Sequence, residues 1–378
     1  MSTRNRLMPG WLVGFIIFIL IITGCSPRIE GAQAAQPQAA TAALEQPTQA
    51  PSVAATQTPS ATLTSLGPTL TPTLVPTSTP TPDPMSIAAL RAGIYPGSDI
   101  VIVKELTAAT TYRRYYAYYL SQGLKIFGLL TVPNGDPPAG GWPAIVFNHG
   151  YIPPAQYVTT ERYVAYVDYL ARAGYIVYKI DYRGNGNSDG IARGAYGDPG
   201  YTIDVLNAVA SIKRFPQANP QKIGMWGHSM GGFLTLRAMV ISKDIKVGVI
   251  WAGVVGSAAD LVNIWHHNDR QTPTPQPNAP NWKHSWLDLH GTPEQNPQFW
   301  DSISATSYLA DLSGPLQLHH DINDSEVPYV FSENLAKGIQ AVGGTVEFYS
   351  YPGDDHNLAN PFGQAMARTI AFFDKYLK

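Results

Sequence analysis

The chain predicts an α/β fold: a mostly parallel central sheet with helices on both faces, antiparallel strands at its N-terminal edge, and an aromatic-rich insertion. Three observations predict it. From residue 144 onward, apolar runs of strand length alternate with stretches of helix length, the pattern of repeated β-α units. Gly227-His228-Ser229-Met230-Gly231 stands where one apolar run hands over to a helix-like stretch. Two later runs, at 316–319 and 346–351, each lead into a polar loop.

The elements follow in order. Strands are expected at 100–106, 111–120 and 124–132, antiparallel at one edge. The tyrosines of the second, Tyr112, Tyr115, Tyr116, Tyr118 and Tyr119, are expected to pack on its faces with hydroxyls toward water; a sugar-stacking platform is the alternative. Strand 144–148, helix 161–172, strand 175–181, helix 202–214, strand 222–227, helix 232–241 and strand 247–252 then build the parallel sheet. Strand 316–319, helix 329–341, strand 346–351 and helix 362–376 complete it. Between 253 and 315 lies an insertion carrying Trp265, Trp282, Trp286, Phe299 and Trp300, with a Pro-rich piece at 272–280. It is expected either to cover the site as a lid with an apolar pocket or simply to pack on the sheet.

The front of the chain is of another kind. Arg4 and Arg6 precede an apolar run at 11–22, too short to span a bilayer and built like a secretory signal. Ile22-Thr23-Gly24-Cys25 ends it and resembles a bacterial lipobox, which implies lipidation of Cys25; a cleaved signal with an incidental cysteine is the alternative. From 26 to 84 the chain is Ala, Gln, Thr and Pro with almost no charge or aromatic content, a semi-rigid tether that cannot bury a core. The expected division is a lipoprotein signal at 1–25, the tether at 26–84 and a folded domain at 85–378. The expected location is the cell envelope, on the extracytoplasmic side, with the membrane as partner through the lipid.

Composition narrows the partners. Lys and Arg number 25 against 27 Asp and Glu, a net charge of −2, and no basic stripe forms, so nucleic acid is not an expected partner. Cys25 is the single cysteine, which excludes a disulfide within the chain. His266-His267 and His319-His320 are adjacent pairs, and neighbours on a strand point to opposite faces, so they do not form a zinc set. The loop Asp181-Tyr182-Arg183-Gly184-Asn185-Gly186 lacks the glycine spacing that cradles a nucleotide, and packing with ion pairing is expected there.

The pentad carries the chemistry. A G-x-S-x-G on a strand-to-helix turn holds Ser229 in a strained backbone with its Oγ outward, and flanking glycines make the close approach possible. The turn also aims the first amides of the following helix, that of Met230 foremost, at charge forming on a bound substrate. A serine hydroxyl needs a base and a group to orient it. His356 is the only histidine after His320, and Asp321 and Asp324 share the preceding polar loop as candidate acids. Loops at the carboxyl ends of parallel strands converge on one crevice, which would bring these groups together.

With these motifs the chain resembles the α/β-hydrolase superfamily, most closely its prolyl-oligopeptidase-like and dienelactone-hydrolase-like branches. The resemblance implies Asp324 as the acid, three residues before Val327-Pro328, with Asp321 as runner-up where those families usually have glycine. It also implies that the strand 144–148 with His149-Gly150-Tyr151 is the oxyanion loop, with the Tyr151 amide as second donor. His149 is expected to pack the loop. The function this implies is acyl transfer to water: Ser229 attacks, His356 moves the proton, Asp324 orients His356, and the Met230 and Tyr151 amides bind the oxyanion, with no metal or organic cofactor. Carboxylic esters are the expected substrates, because related peptidases usually carry a large β-propeller. A serine peptidase acting on small peptides is the rival, and a surface lipoprotein that only binds is a third possibility.

Overall fold

The computed structural model describes residues 82–265 and 282–378. Cys25, the signal-like segment, the tether as far as residue 81, His266-His267 and the piece 272–280 lie outside the described residues.

Nine strands form one sheet among the described residues: β1 (Val101–Leu106), β2 (Tyr112–Ser121), β3 (Leu124–Pro133), β4 (Trp142–Asn148), β5 (Ile176–Ile180), β6 (Ala218–His228), β7 (Val247–Trp251), β8 (Leu316–Asp321) and β9 (Val346–Tyr351). Their spatial order is β1-β2-β3-β5-β4-β6-β7-β8-β9. The pairs from β1 to β5 are antiparallel and those from β5 to β9 are parallel, as the sequence pattern predicts. Strands β5 and β7 are buried along their whole length, the condition that makes them read as continuous apolar runs.

Alternation divides the side chains between two layers. Ala144 and Val146 of β4 join one core with Ile176, Tyr178, Met225 and Ile250, under the helices Gly200–Lys213 (α3), Met230–Ile241 (α4) and Tyr329–Ala341 (α8). Ile145 and Phe147 join the other with Val177, Trp226 and Trp251, under Val164–Arg172 (α2) and Phe362–Leu377 (α9). Helix α4, which follows the G-x-S-x-G turn, is buried on nearly every face.

Several expectations need correction. Helix α2 begins at Val164 rather than 161, because Tyr163 before it adopts a left-handed backbone (φ 61°, ψ 20°). The tyrosine hydroxyls of β2 are not turned to water as a group. Tyr119 Oη donates to the Asp204 carbonyl at 2.7 Å in the interior, Tyr112 Oη donates to Asp168 at 2.8 Å, and Asn187 Nδ2 donates to Tyr116 Oη at 2.8 Å. Burial requires this: β2 lies between β1 and β3, with α3 against one face, and a phenol taken from water needs a protein partner.

The structure also contains short helices that the sequence pattern does not announce: α1 (Ile87–Ala92), α5 (Ala258–Asn263), α6 (Trp282–His290) and α7 (Pro297–Ile303). Caps start three of them. Ser86 Oγ accepts from the Ala89 amide, Ser257 and Asp260 form a reciprocal capping box, and Asn296 accepts from Phe299. Trp286 and Trp300 of the insertion pack with Met85, Ala258 and Ile303, while Trp265 joins the main core. The buried Arg237 of α4 ties the group together, its guanidinium donating to the carbonyls of Ile303 at 2.5 Å and Met85 at 2.6 Å. The insertion's tryptophans therefore pack the insertion onto the domain.

Candidate active site

Ser229 occupies the turn between β6 and α4 with φ 54° and ψ −118°, a conformation a serine adopts only under constraint. The constraint is visible. Ser229 donates its amide to the Trp251 carbonyl at 3.0 Å, and its own carbonyl accepts from Gly232 at 2.9 Å and Val254 at 3.1 Å. The flanking glycines are required by space: a Cβ on Gly231 would lie 1.9 Å from the Asn148 carbonyl oxygen, and one on Gly227 would lie 2.2 Å from the Gly231 carbonyl oxygen.

The loop after β9 returns beside this turn, where His228 Nε2 lies 3.0 Å from the His356 carbonyl oxygen. His356 Nδ1 lies 2.7 Å from Asp324 Oδ2, so the imidazole donates there and Nε2 is left for other chemistry. His356 is 6% exposed, and its ring centroid stands 4.6 Å from that of His228, the residue before Ser229. Asp324 is fully loaded. Its Oδ1 accepts from the amides of Glu326 at 2.8 Å and Val327 at 3.0 Å, and its Oδ2 accepts from His356 and also from His320 Nε2 at 3.1 Å. Burial pushes this carboxyl up, but the hydrogen bonds from His320, His356 and the Val327 amide, with the nearby His356 charge, outweigh burial and hold it well below the usual carboxylate range.

Asp321 has a different place. Its buried carboxylate accepts from the amides of Asn323 at 2.7 Å and Asp354 at 3.0 Å, stapling the end of β8 to the loop that carries His356. The strand pair His319-His320 points to opposite faces as expected. His319 lies against Tyr351 Oη and Gln317 Oε1, both at 2.8 Å, while His320 reaches Asp324 and, through Nδ1, Ser332 Oγ at 2.7 Å.

At the end of β4, Gly150 brings the loop against the serine turn: a Cβ there would lie 3.2 Å from Ser229 Cβ. Tyr151 follows, 60% exposed. Among the described residues neither the Tyr151 nor the Met230 amide donates to another protein group. His149 is buried between the rings of Tyr157 and Tyr182, centroids 4.6 and 4.5 Å away, and donates from Nδ1 to the Gly150 carbonyl at 2.7 Å. It packs the loop. Burial first, and then Lys179, push its pKa down to about 3. In the loop after β5, Arg183 pairs with the buried Asp204 at 2.7 Å, the ion pairing the sequence suggests.

Three residues that sequence reasoning did not single out for the site belong to its surroundings. His320 was legible only as half of a histidine pair, although its spacing of four from Asp324 at a strand end was a signal. Tyr163, whose hydroxyl lies 2.7 Å from His228 Nδ1, gave none. Glu326, with a carboxylate oxygen 4.0 Å from His356 Nε2, lies in the acid loop, where its place in the sequence alone gives no contact.

A mostly parallel sheet with antiparallel N-terminal strands, bearing a strained serine turn and a histidine–aspartate pair at its carboxyl edge, is an α/β-hydrolase. Within that class, the family model "Prolyl oligopeptidase family" matches residues 162–378, a stretch that holds Ser229, Asp324 and His356. The chain belongs to that family of serine hydrolases. It is 27% identical over 256 residues to "Uncharacterized peptidase YuxL" of Bacillus subtilis, covering 64% of this chain and 35% of that protein. It is 24% identical over 245 residues to "Uncharacterized peptidase YtmA" of the same organism, covering 65% of this chain and 86% of YtmA. Acetyl Xylan Esterase 1 from a Thermoanaerobacterium species superposes with a TM-score of 0.58 at 16% identity, over 78% of this chain and 95% of the esterase, a likeness of fold. The chain thus spans about a third of the length of YuxL, the first of these relatives.

Proposed function

We propose that the domain hydrolyses carboxylic esters through an acyl-enzyme on Ser229. The reading rests on one observation: the turn that holds Ser229 at φ 54° and ψ −118° also holds His228, whose ring centroid stands 4.6 Å from that of His356, and His356 Nδ1 lies 2.7 Å from Asp324 Oδ2. Ser229 Oγ attacks the ester carbonyl while His356 Nε2 takes its proton. The amides of Met230 and Tyr151 receive the oxyanion, and the alkoxide leaves with the proton returned from His356. Water, deprotonated by the same imidazole, then attacks the acyl-enzyme, and the acid and free Ser229 are released. The neutral imidazole becomes a cation in each step, and the Asp324 carboxylate, kept ionised by its donors, stabilises that cation. These groups suffice for acyl transfer, so no cofactor enters the scheme.

A fold match that spans 95% of an acetyl xylan esterase supports esters. Peptide hydrolysis is the second reading, supported by the relatives YuxL and YtmA, both called peptidases. Turnover of short-chain nitrophenyl esters compared with that of proline-containing peptide amides decides between them; strong amide cleavage with weak ester turnover reverses the ranking. A fluorophosphonate should modify the wild type and leave Ser229→Ala unmodified. Equal labelling of both proteins would refute Ser229 as nucleophile, and absence of labelling and turnover in the wild type would favour a binding protein.

The anchor is proposed on sequence alone: export through the segment 1–25 and lipidation of Cys25, with the stretch 26–84 as tether. Palmitate incorporation should vanish in Cys25→Ser, and incorporation that persists there defeats the proposal.

A further inference from the structure

Building on the hydrolase reading, we propose that Tyr163 and His228 are positioning residues that form a hydrogen-bonded strut, fixing the oxyanion loop at Gly150-Tyr151 relative to the loop that carries His356. The strut has three links. The Gly150 amide donates to Tyr163 Oη at 2.9 Å, Tyr163 Oη lies 2.7 Å from His228 Nδ1, and His228 Nε2 lies 3.0 Å from the His356 carbonyl oxygen.

Chemistry fixes the direction of every bond. A backbone carbonyl only accepts, so His228 Nε2 carries the proton. In the neutral ring Nδ1 is then an acceptor, and the one hydrogen of Tyr163 Oη must point at it, which leaves the phenol oxygen to receive the Gly150 N–H. The ring stays neutral: burial first, then the neighbouring His356, push the pKa of His228 down to about 3. Each group is saturated and no alternative arrangement satisfies all four partners.

The topology gives the strut its purpose. The oxyanion loop follows β4 and the His356 loop follows β9, and β6, β7 and β8 stand between those strands. The ladders hold the strands in register, but the loops after β4 and β9 run beyond them, so a link between those loops must lie above the sheet edge. The strut passes there, directly behind the nucleophile, because His228 precedes Ser229 in the chain. Its parts are held in turn. Tyr163 takes a left-handed backbone (φ 61°) that turns its ring inward, edge-on to Phe147 at 5.7 Å and Trp226 at 6.3 Å. Gly150 is closed in by the same atoms: a Cβ there would meet Tyr163 Oη at 2.6 Å and His228 Nδ1 at 3.2 Å. A non-glycine residue with positive φ beside a site is the kind of strain that persists where surrounding structure demands it.

The experiment uses the full chain. For Tyr163→Phe, kcat on a nitrophenyl ester should fall about ten- to a hundredfold with KM within about twofold, the penalty of a slightly misplaced oxyanion donor and base. Affinity for a trifluoromethyl ketone, which forms a tetrahedral adduct, should fall by the same factor as kcat/KM, a readout that loss of stability alone does not move. His228→Phe should act alike, and the double variant should lose no more than the worse single one, because either substitution breaks the whole chain. A wild type that neither labels with fluorophosphonate nor turns over overturns the hydrolase reading and the strut with it. A wild type that turns over beside a Tyr163→Phe enzyme with unchanged kcat overturns the strut alone, as do fully additive losses. Nitrogen-15 spectra of the wild-type imidazoles need no variant: His228 should be the Nε2–H tautomer throughout neutral pH, and the Nδ1–H tautomer would overturn the proposal.

Discussion

His320 Nε2 lies 3.1 Å from Asp324 Oδ2, the oxygen that also receives His356 Nδ1 at 2.7 Å. One carboxylate oxygen thus serves two imidazoles, and His320 Nε2 faces the Val327 carbonyl at 3.1 Å as well, so this nitrogen must be a donor. His320 fixes where the Asp324 lone pairs point and thereby how His356 is aimed.

Removing that donor should be felt in turnover. For His320→Leu, kcat should fall about ten- to a hundredfold, since a hydrogen bond to a charged group is worth about 1.5–3 kcal/mol. His320→Gln, which keeps an N–H donor at the end of its side chain, should recover part of the loss. Steady-state kinetics of both variants checks this, and equal activity of His320→Leu and the wild type would show that the contact is idle.

The two aspartates of the acid loop separate cleanly. Asp324→Asn should reduce kcat by about 10⁴, as in a triad whose histidine loses its orienting carboxylate. Asp321→Asn should cost less than about tenfold in kcat and act mainly on stability, because the Asn323 and Asp354 amides lose a charged acceptor, at about 1–3 kcal/mol. Parallel kinetics and urea unfolding test the pair; a larger kinetic loss for Asp321→Asn would reassign the acid.

Glu326 places a half-exposed carboxylate 4.0 Å from His356 Nε2. Substrates with an anionic acyl group should be disfavoured. At this range two unit charges in water interact by about 1 kcal/mol, so Glu326→Gln should raise the preference for a nitrophenyl hemisuccinate over the acetate by about fivefold. The gain should shrink in about 0.5 M salt. A preference ratio that does not respond to the substitution argues that the carboxylate does not face the substrate.

Acid should destabilise the fold. Burial holds His149, His228 and His319 to pKa values of about 3, with Lys179, His356 and Arg368 adding respectively. An unfolded histidine titrates near pH 6.5, so between about 6.5 and 3 the unfolded chain binds protons that the folded one refuses. Stability contributed by these groups is present above that window and is lost as pH falls through it. Asp181, raised to about 6 chiefly by burial, works the other way and holds a proton in the folded state between about 6 and its unfolded value. Urea midpoints from pH 7.5 to 4.5 should decline with net uptake of about two protons on unfolding, and His319→Gln should flatten the slope by about one. A midpoint independent of pH in this range contradicts the neutral burial of these rings.

Helix 329–341 and strand 346–351 were legible to the residue, because apolar periodicity there is uninterrupted and polar turns bound it. The pentad announced the serine turn for a similar reason, since glycines at 227 and 231 are demanded by contacts under 2.5 Å that any Cβ would make. Helices α1, α5, α6 and α7 were not legible. Each is nine residues or shorter and depends on caps or on burial of a few tryptophans against distant partners. The roles of Tyr163 and His320 were hidden for another reason. They arise from meetings between positions far apart in the chain or on opposite sides of a loop, and such meetings leave no period in a sequence.

The indole of Trp265 donates to the Glu326 carbonyl at 2.8 Å, two residues beyond Asp324. The insertion is therefore wired to the acid loop at its first described end. Anyone transplanting this insertion into a relative, or trimming it to widen the range of accepted molecules, inherits that wire. The indole and the carbonyl it grips would have to be carried across as one cassette, or the graft will disturb the aspartate it was meant to leave alone.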